Sequence, residues 1–191
     1  YSLRNQLLEE KDISESIDEL IGLEFKRISN TFIPEESIES QWKIKDLDEF
    51  LKENYKLETD IENIINNDKK LLPESIASIV IEKAKQYYKD KYKSLESNRL
   101  LLEKQIMLQV LDVHWKEHLA EIDHLRGSVG LRAYAQKNPK NEFKQEAYSM
   151  FEAMLDEIDI ETVRILFAIE FATEEIIENL KKDDDKQEIV L

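Results

Sequence analysis

Residues Met107 to Met154 read MLQVLDVHWKEHLAEIDHLRGSVGLRAYAQKNPKNEFKQEAYSMFEAM. Two amphipathic segments flank a short break that holds a lone Tyr among basic residues. Before the break, apolar residues recur at Leu108, Leu111, Trp115, Ile122, Leu125 and Val129, a spacing that lines one face of a helix. After it, Phe151, Leu155, Ile158, Ile165 and Ile169 repeat the pattern. Each face has to bury against something, and the nearest partner is the other arm, so the stretch predicts an antiparallel helical hairpin. The arm from Leu108 to Ser128 would be roughly 30 Å long at 1.5 Å per residue. Asn138 as N-cap and Pro139 at the first helical position start the return helix, predicted to reach about Glu178.

Outward from the hairpin, the chain continues to read as helix. Leu3, Leu7, Ile13, Ile17, Leu20, Ile21 and Phe25 predict a helix over 1–30 with a slip near Lys11 to Ser14, ended by Ser29, Asn30 and Thr31. Gly22 within it costs about 1 kcal/mol against Ala. Pro34, followed by Glu35 and Glu36, suits a helix start. Asp46-Leu47-Asp48-Glu49 and Thr59-Asp60-Ile61-Glu62 are two further starts of the capping-box kind, and Asn66-Asn67-Asp68 reads as a loop. Pro73-Glu74 opens a longer helix with Ile76, Ile79, Val80, Ala84 and Tyr87 on its apolar side, weakening through the Lys-rich stretch to Ser94. The next helix begins near Leu95. Lys181 to Lys186 is a charge run predicted to be disordered. The fold class is therefore all-α.

Composition bounds the function. The 191 residues are 41% hydrophobic, enough for a core, and contain only 3 Gly and 3 Pro, too few turn residues for an all-β chain. A net charge of -15 repels phosphate backbones and argues against specific nucleic-acid binding and against more than peripheral contact with anionic membranes. Without cysteine there are no disulfides and no Cys-built zinc site. No apolar run approaches the roughly 20 residues that span a bilayer. The chain opens at Tyr1 inside a helical pattern, without an initiator Met, and is expected to be a piece of a longer protein.

Catalytic patterns are few. Gly22, Gly127 and Gly130 have no pair five apart, so neither phosphate-cradling glycine motif is present, and no nucleotide cofactor is expected here. His114-Trp115-Lys116-Glu117-His118 matches the H-x-x-E-H order of inverted zinc peptidases, with both imidazoles on one helix face and Glu117 as a base. The alternative, preferred, is a packing phrase in which His114 is incidental and no metal is held. Trp42 and Trp115 read as core anchors. From Arg126 to Lys144 there are five basic residues and one acid, a basic tip on an acidic chain that suits an anionic or polar partner.

The wording of the hairpin also resembles a known family. Met107-Leu108-Gln109-Val110-Leu111-Asp112, Trp115-Lys116-Glu117-His118-Leu119, Asp123-His124-Leu125-Arg126, Tyr134-Ala135-Gln136-Lys137-Asn138-Pro139-Lys140 and Ser149-Met150-Phe151 resemble the two-helix finger of the SecA family, ATP-driven motors of bacterial protein secretion. Arg4-Asn5-Gln6-Leu7-Leu8 and Phe32-Ile33-Pro34-Glu35-Glu36-Ser37-Ile38-Glu39 look like its scaffold and wing, in order over about 1–170. The resemblance implies long scaffold helices (1–32, and 95–178 with the finger), an inserted small helical wing (33–94) and an acidic tail (179–191).

It further implies a finger tip at Leu131, Arg132, Tyr134, Ala135, Gln136 and Lys137 that touches the moving polypeptide at the mouth of a SecY-type channel. The implied partners are that channel, unfolded secretory preproteins and the parent's own motor and preprotein-binding domains. ATP and Mg would sit in those motor domains, and the parent would work in the bacterial cytoplasm and at the cytoplasmic face of the inner membrane. Ala133 stands where the family commonly has Gly and Gly130 where it has His, so the tip is expected to bend at a different residue; Asn138 stands where it has Asp and is expected still to cap. An acidic helical adaptor without a motor accounts for the composition equally well but leaves the finger phrase unexplained.

Overall fold

The computed structural model describes residues 13–68, 70–95, 98–132 and 139–170, with backbone alone at 129–132 and 139. Among these residues six α-helices and no strands occur: α1 (Ser14–Phe32), α2 (Ile44–Tyr55), α3 (Ile61–Asn67), α4 (Pro73–Tyr92), α5 (Asn98–Arg132) and α6 (Pro139–Ala168), with 3₁₀ turns at Glu39–Gln41 and Lys93–Leu95. The all-α expectation holds, and Pro139 does open the return helix.

Four boundaries differ from the sequence reading, each for a local reason. α1 runs on to Phe32 through Ser29 and Thr31, because their hydroxyls bond back to the carbonyls of Phe25 (2.7 Å) and Arg27 (2.9 Å) and stay helical. Pro34 starts a turn rather than a helix: the Ser37 amide donates to its carbonyl at 3.0 Å, and the Lys43 amide returns to the Phe32 carbonyl at 3.0 Å, folding the link back onto α1. Asn66 and Asn67 finish α3 instead of forming a loop. α6 ends at Ala168, with 169–170 outside the helix, where other side chains take its last carbonyls.

The short helices are held by unexpected caps. Asp60 makes no side-chain cap to α3. Asp48, one helix earlier, accepts from the amides of Ile61 (3.0 Å) and Glu62 (3.2 Å) and from the Thr59 hydroxyl, filling the orphan donors of the α3 N-terminus from across the link. α2 ends on Lys56 at φ 56°, with the Leu57 amide reaching the Leu51 carbonyl at 3.2 Å. The Lys56 amide also donates to the Lys52 carbonyl at 3.2 Å, so this left-handed cap closes the helix end without glycine.

The main core forms where α1 lies along α4 and the last turns of α6 press onto α1 and α2. Phe167 is its centre. Its ring is 5.1 Å from Phe25 of α1, and 5.7 Å each from Tyr55 of α2 and from Tyr87 and Tyr88 of α4. The Tyr92 hydroxyl donates to the Leu166 carbonyl at 2.8 Å and the Lys91 ammonium donates to the Phe167 carbonyl, so the orphan acceptors of the helix end are satisfied by α4. One buried acid, Glu24, accepts two bonds from Arg27 at 2.8 Å and one from the Tyr55 hydroxyl at 2.5 Å. Such full pairing makes a buried charge tolerable. Burial first, and then the Glu24 carboxylate, push the Tyr55 phenol far above its ordinary value, so it stays a donor.

Two substitutions test this account. A Cβ on Gly22 would meet Lys85 Cε at 3.7 Å, an ordinary contact, so Gly22→Ala is expected to raise stability by about 1 kcal/mol in urea denaturation; a loss would mean α1 and α4 are closer than described. Asp48→Ala should lower it by about 2 kcal/mol, the sum of a lost cap and a stranded Thr59 hydroxyl. A loss of only a few tenths would show that Asp60 caps α3 after all.

Candidate functional site: the two-helix hairpin

α5 has 35 residues and α6 has 30, about 52 and 45 Å of helix respectively at 1.5 Å per residue. They run antiparallel along each other, as the sequence pattern predicts. Burial falls steadily toward their joined end. Near the base, Leu102, Glu103, Ile106, Val110 and Leu111 of α5 and Met154, Ile158, Thr162, Val163, Leu166 and Phe167 of α6 are buried. From Asp112 to Ser128 only His118 and Leu125 are, and from Lys140 to Ala153 none is. A pair of helices that bury only their mutual seam is a prong standing off the main core.

The seam departs from the expected apolar stripe. Leu111 and Leu125 are buried as predicted, whereas Trp115 and Ile122 are only partly covered and Phe151 is 37% exposed. The phase drifts because two polar residues occupy interior positions. His118, 6% exposed, sits 5.9 Å from the Phe151 ring and 5.9 Å from Trp115. His114 pairs through Nε2 with Glu161 Oε2, and its Nδ1 is 3.7 Å from Glu157 Oε2. Glu157 and Glu161 are one turn apart on α6 and bracket the imidazole; they carried no signal in the sequence, because the pairing exists only once the two arms are in register.

Of the zinc-peptidase pattern, His114 is taken up by Glu161. Among the described residues no three His, Asp or Glu side chains converge on a metal position. Of the finger-tip residues, Leu131 and Arg132 are the last two positions of α5. Tyr134, Ala135, Gln136 and Lys137, together with the Asn138 cap, lie outside the described residues, as do 1–12, the 171–178 end expected for the return helix and the acidic tail. Arg126, Lys140 and Lys144 are exposed toward the joined end. No described helix is long and apolar enough to cross a membrane.

This arrangement defines a class: a helical scaffold that carries a long two-helix prong and a cluster of short helices on one core. Residues 1–170 match the family model described as the SecA wing and scaffold domain. The chain is 37% identical over 188 residues to the protein translocase subunit SecA of Paraburkholderia phymatum, and equally to those of Paraburkholderia phytofirmans and Paraburkholderia xenovorans. In each case 98% of this chain is aligned, and it spans 20% of the relative's length. The chain belongs to the SecA family.

One titrating group sits on the return arm. Burial, and then the neighbouring Asp156, raise the Asp159 carboxyl from 3.8 to about 6. A raised folded-state value means the fold favours the neutral acid: that stabilisation is complete below about pH 4 and disappears as pH rises through about 6. Asp159→Asn should thus stabilise the protein at pH 7.5 by about 1 kcal/mol, discounted for partial exposure, with the gain vanishing near pH 4. Urea midpoints of both proteins at the two pH values check it; an equal gain at both would disprove the assignment.

Proposed function

We propose that this chain is the mechanical portion of an ATP-driven protein translocase. In this reading residues 1–32 and 95–178 form the scaffold with its finger, 33–94 form the wing, and the chain itself hydrolyses nothing. The observation that carries the reading is the α5–α6 hairpin, whose far half buries only its own seam, in a chain of the SecA family. A stiff prong anchored in a core transmits displacement, because its base cannot rotate without disturbing the packing around Phe167.

ATP and Mg belong to motor domains elsewhere in the full-length parent, which works in the bacterial cytoplasm and at the cytoplasmic face of the inner membrane. The tip, centred on Tyr134 with Leu131, Arg132, Ala135, Gln136 and Lys137 beside it, meets the unfolded preprotein at the mouth of a SecY-type channel. Exported sequences vary, so a selective pocket would be a handicap. A Tyr ring with amide and basic neighbours holds many side chains at low entropy cost. That the relatives are protein translocase subunits SecA supports a role in protein translocation.

The test is made in the full-length parent. Tyr134→Ala should abolish most transport of a preprotein into inverted membrane vesicles while basal ATP hydrolysis and thermal unfolding stay near wild type. Undiminished transport would refute the tip assignment.

A further inference from the structure

Midway along the prong, the two arms leave a cleft of about 140 Å³ between them, lined by His114, Glu117, His118 and Glu121 of α5 and by Met150, Met154 and Glu157 of α6. It is large enough for a side-chain head group. Three carboxylates face it, and among its lining residues there is no Lys or Arg. Acid-rich walls alone signify little. Here the wall also contains His118, 6% exposed, whose Nδ1 is buried without a hydrogen-bond partner. Buried polar atoms are nearly always satisfied, so an orphan in a cleft calls for an explanation.

The geometry points to a docking cleft for an arginine side chain carried by a partner polypeptide. A metal ion fits less well, since no three of the described His, Asp and Glu side chains converge on one position and His114 is already paired with Glu161. A planar guanidinium fits in three respects. Its fork of N–H donors matches carboxylates set on both walls. The Met150 and Met154 side chains give its flat face an apolar, polarizable floor. Among the cleft's lining residues no Lys or Arg repels it. Its stem would enter from the open side, past Glu121 and Glu157. The inference does not rest on the role of Tyr134, which lies at the far tip, and either can fail without the other.

The chain has three histidines, so the imidazole resonances of His114, His118 and the exposed His124 can be followed separately by NMR. A short capped peptide with a single Arg is titrated in, beside one with citrulline, the neutral isostere. With the Arg peptide, the His114 and His118 rings should shift in a saturable way while His124 stays put. The citrulline peptide should bind about tenfold more weakly or worse. The double variant Glu121→Gln/Glu157→Gln should weaken the Arg peptide to the same degree, with its urea midpoint unchanged. Should that variant fail to fold, Glu121→Gln alone is measured and must weaken binding several-fold. No shift at millimolar peptide, equal binding of citrulline, full binding to the variants, or a response of these rings to zinc chloride but not to the peptide would each overturn the proposal.

Discussion

The last turn of α6 is where the molecule is fastened. Phe167 brings together rings from α1, α2 and α4, helices that begin far apart in the chain. Each such pair is worth about 0.5–1.5 kcal/mol beyond its buried area. The polar side of the same turn is closed by Tyr92 and Lys91, 74 and 76 residues earlier than the carbonyls they bind. An apolar plug alone would let the helix turn about its axis. Two directed hydrogen bonds at its end fix that rotation, because they hold only when the carbonyls face α4. The rotation of α6 in turn sets which face it offers to α5, and so the direction of the whole prong.

That constraint explains the gradient of burial along the hairpin. At the base the arms share the main core; farther out they have only each other. Interiors packed to crystal-like density transmit displacement with little loss, so the base behaves as a rigid mount. The outer half, held by Leu125, His118 and partly covered neighbours, is the part with least to lose by moving. Stiffness there comes from the helices themselves, whose backbone bonds are local and need no third layer.

Much of this was legible in the sequence, for definite reasons. Helix type and the hairpin followed from the spacing of Leu111 and Leu125 and from Pro139, since a 3.6-residue period and a proline at a helix start are local properties. The long α4 followed from Pro73 with Ile76, Val80 and Ala84 in the same way. What could not be read was anything decided by a partner distant in sequence. Asp48 looked like part of its own helix start yet caps the next helix, and Ser29 and Thr31 looked like terminators but bond back along α1. The end of α6 depends on Lys91 and Tyr92. Within the hairpin, Phe151 reads as core by type, but His118 holds the inward position, because register between the arms is a tertiary property. The finger-tip residues were reached through resemblance alone; a Tyr in a basic break has no period to identify it.

The chain's charge is not evenly spread along the prong. Carboxylates of Glu117, Glu121 and Glu157 gather at mid-height, while Arg126, Lys140 and Lys144 lie toward the tip. Fields from exposed charges fade over about a Debye length, roughly 8 Å at physiological ionic strength. Along α5 a rise of roughly 13 Å separates Glu117 from Arg126, beyond that length, while Glu121 lies within it. A chain or loop lying along the prong would meet acidic groups at mid-height and basic ones farther out, so charge order would bias its orientation. A uniformly acidic prong would carry no such bias on a protein whose net charge is -15.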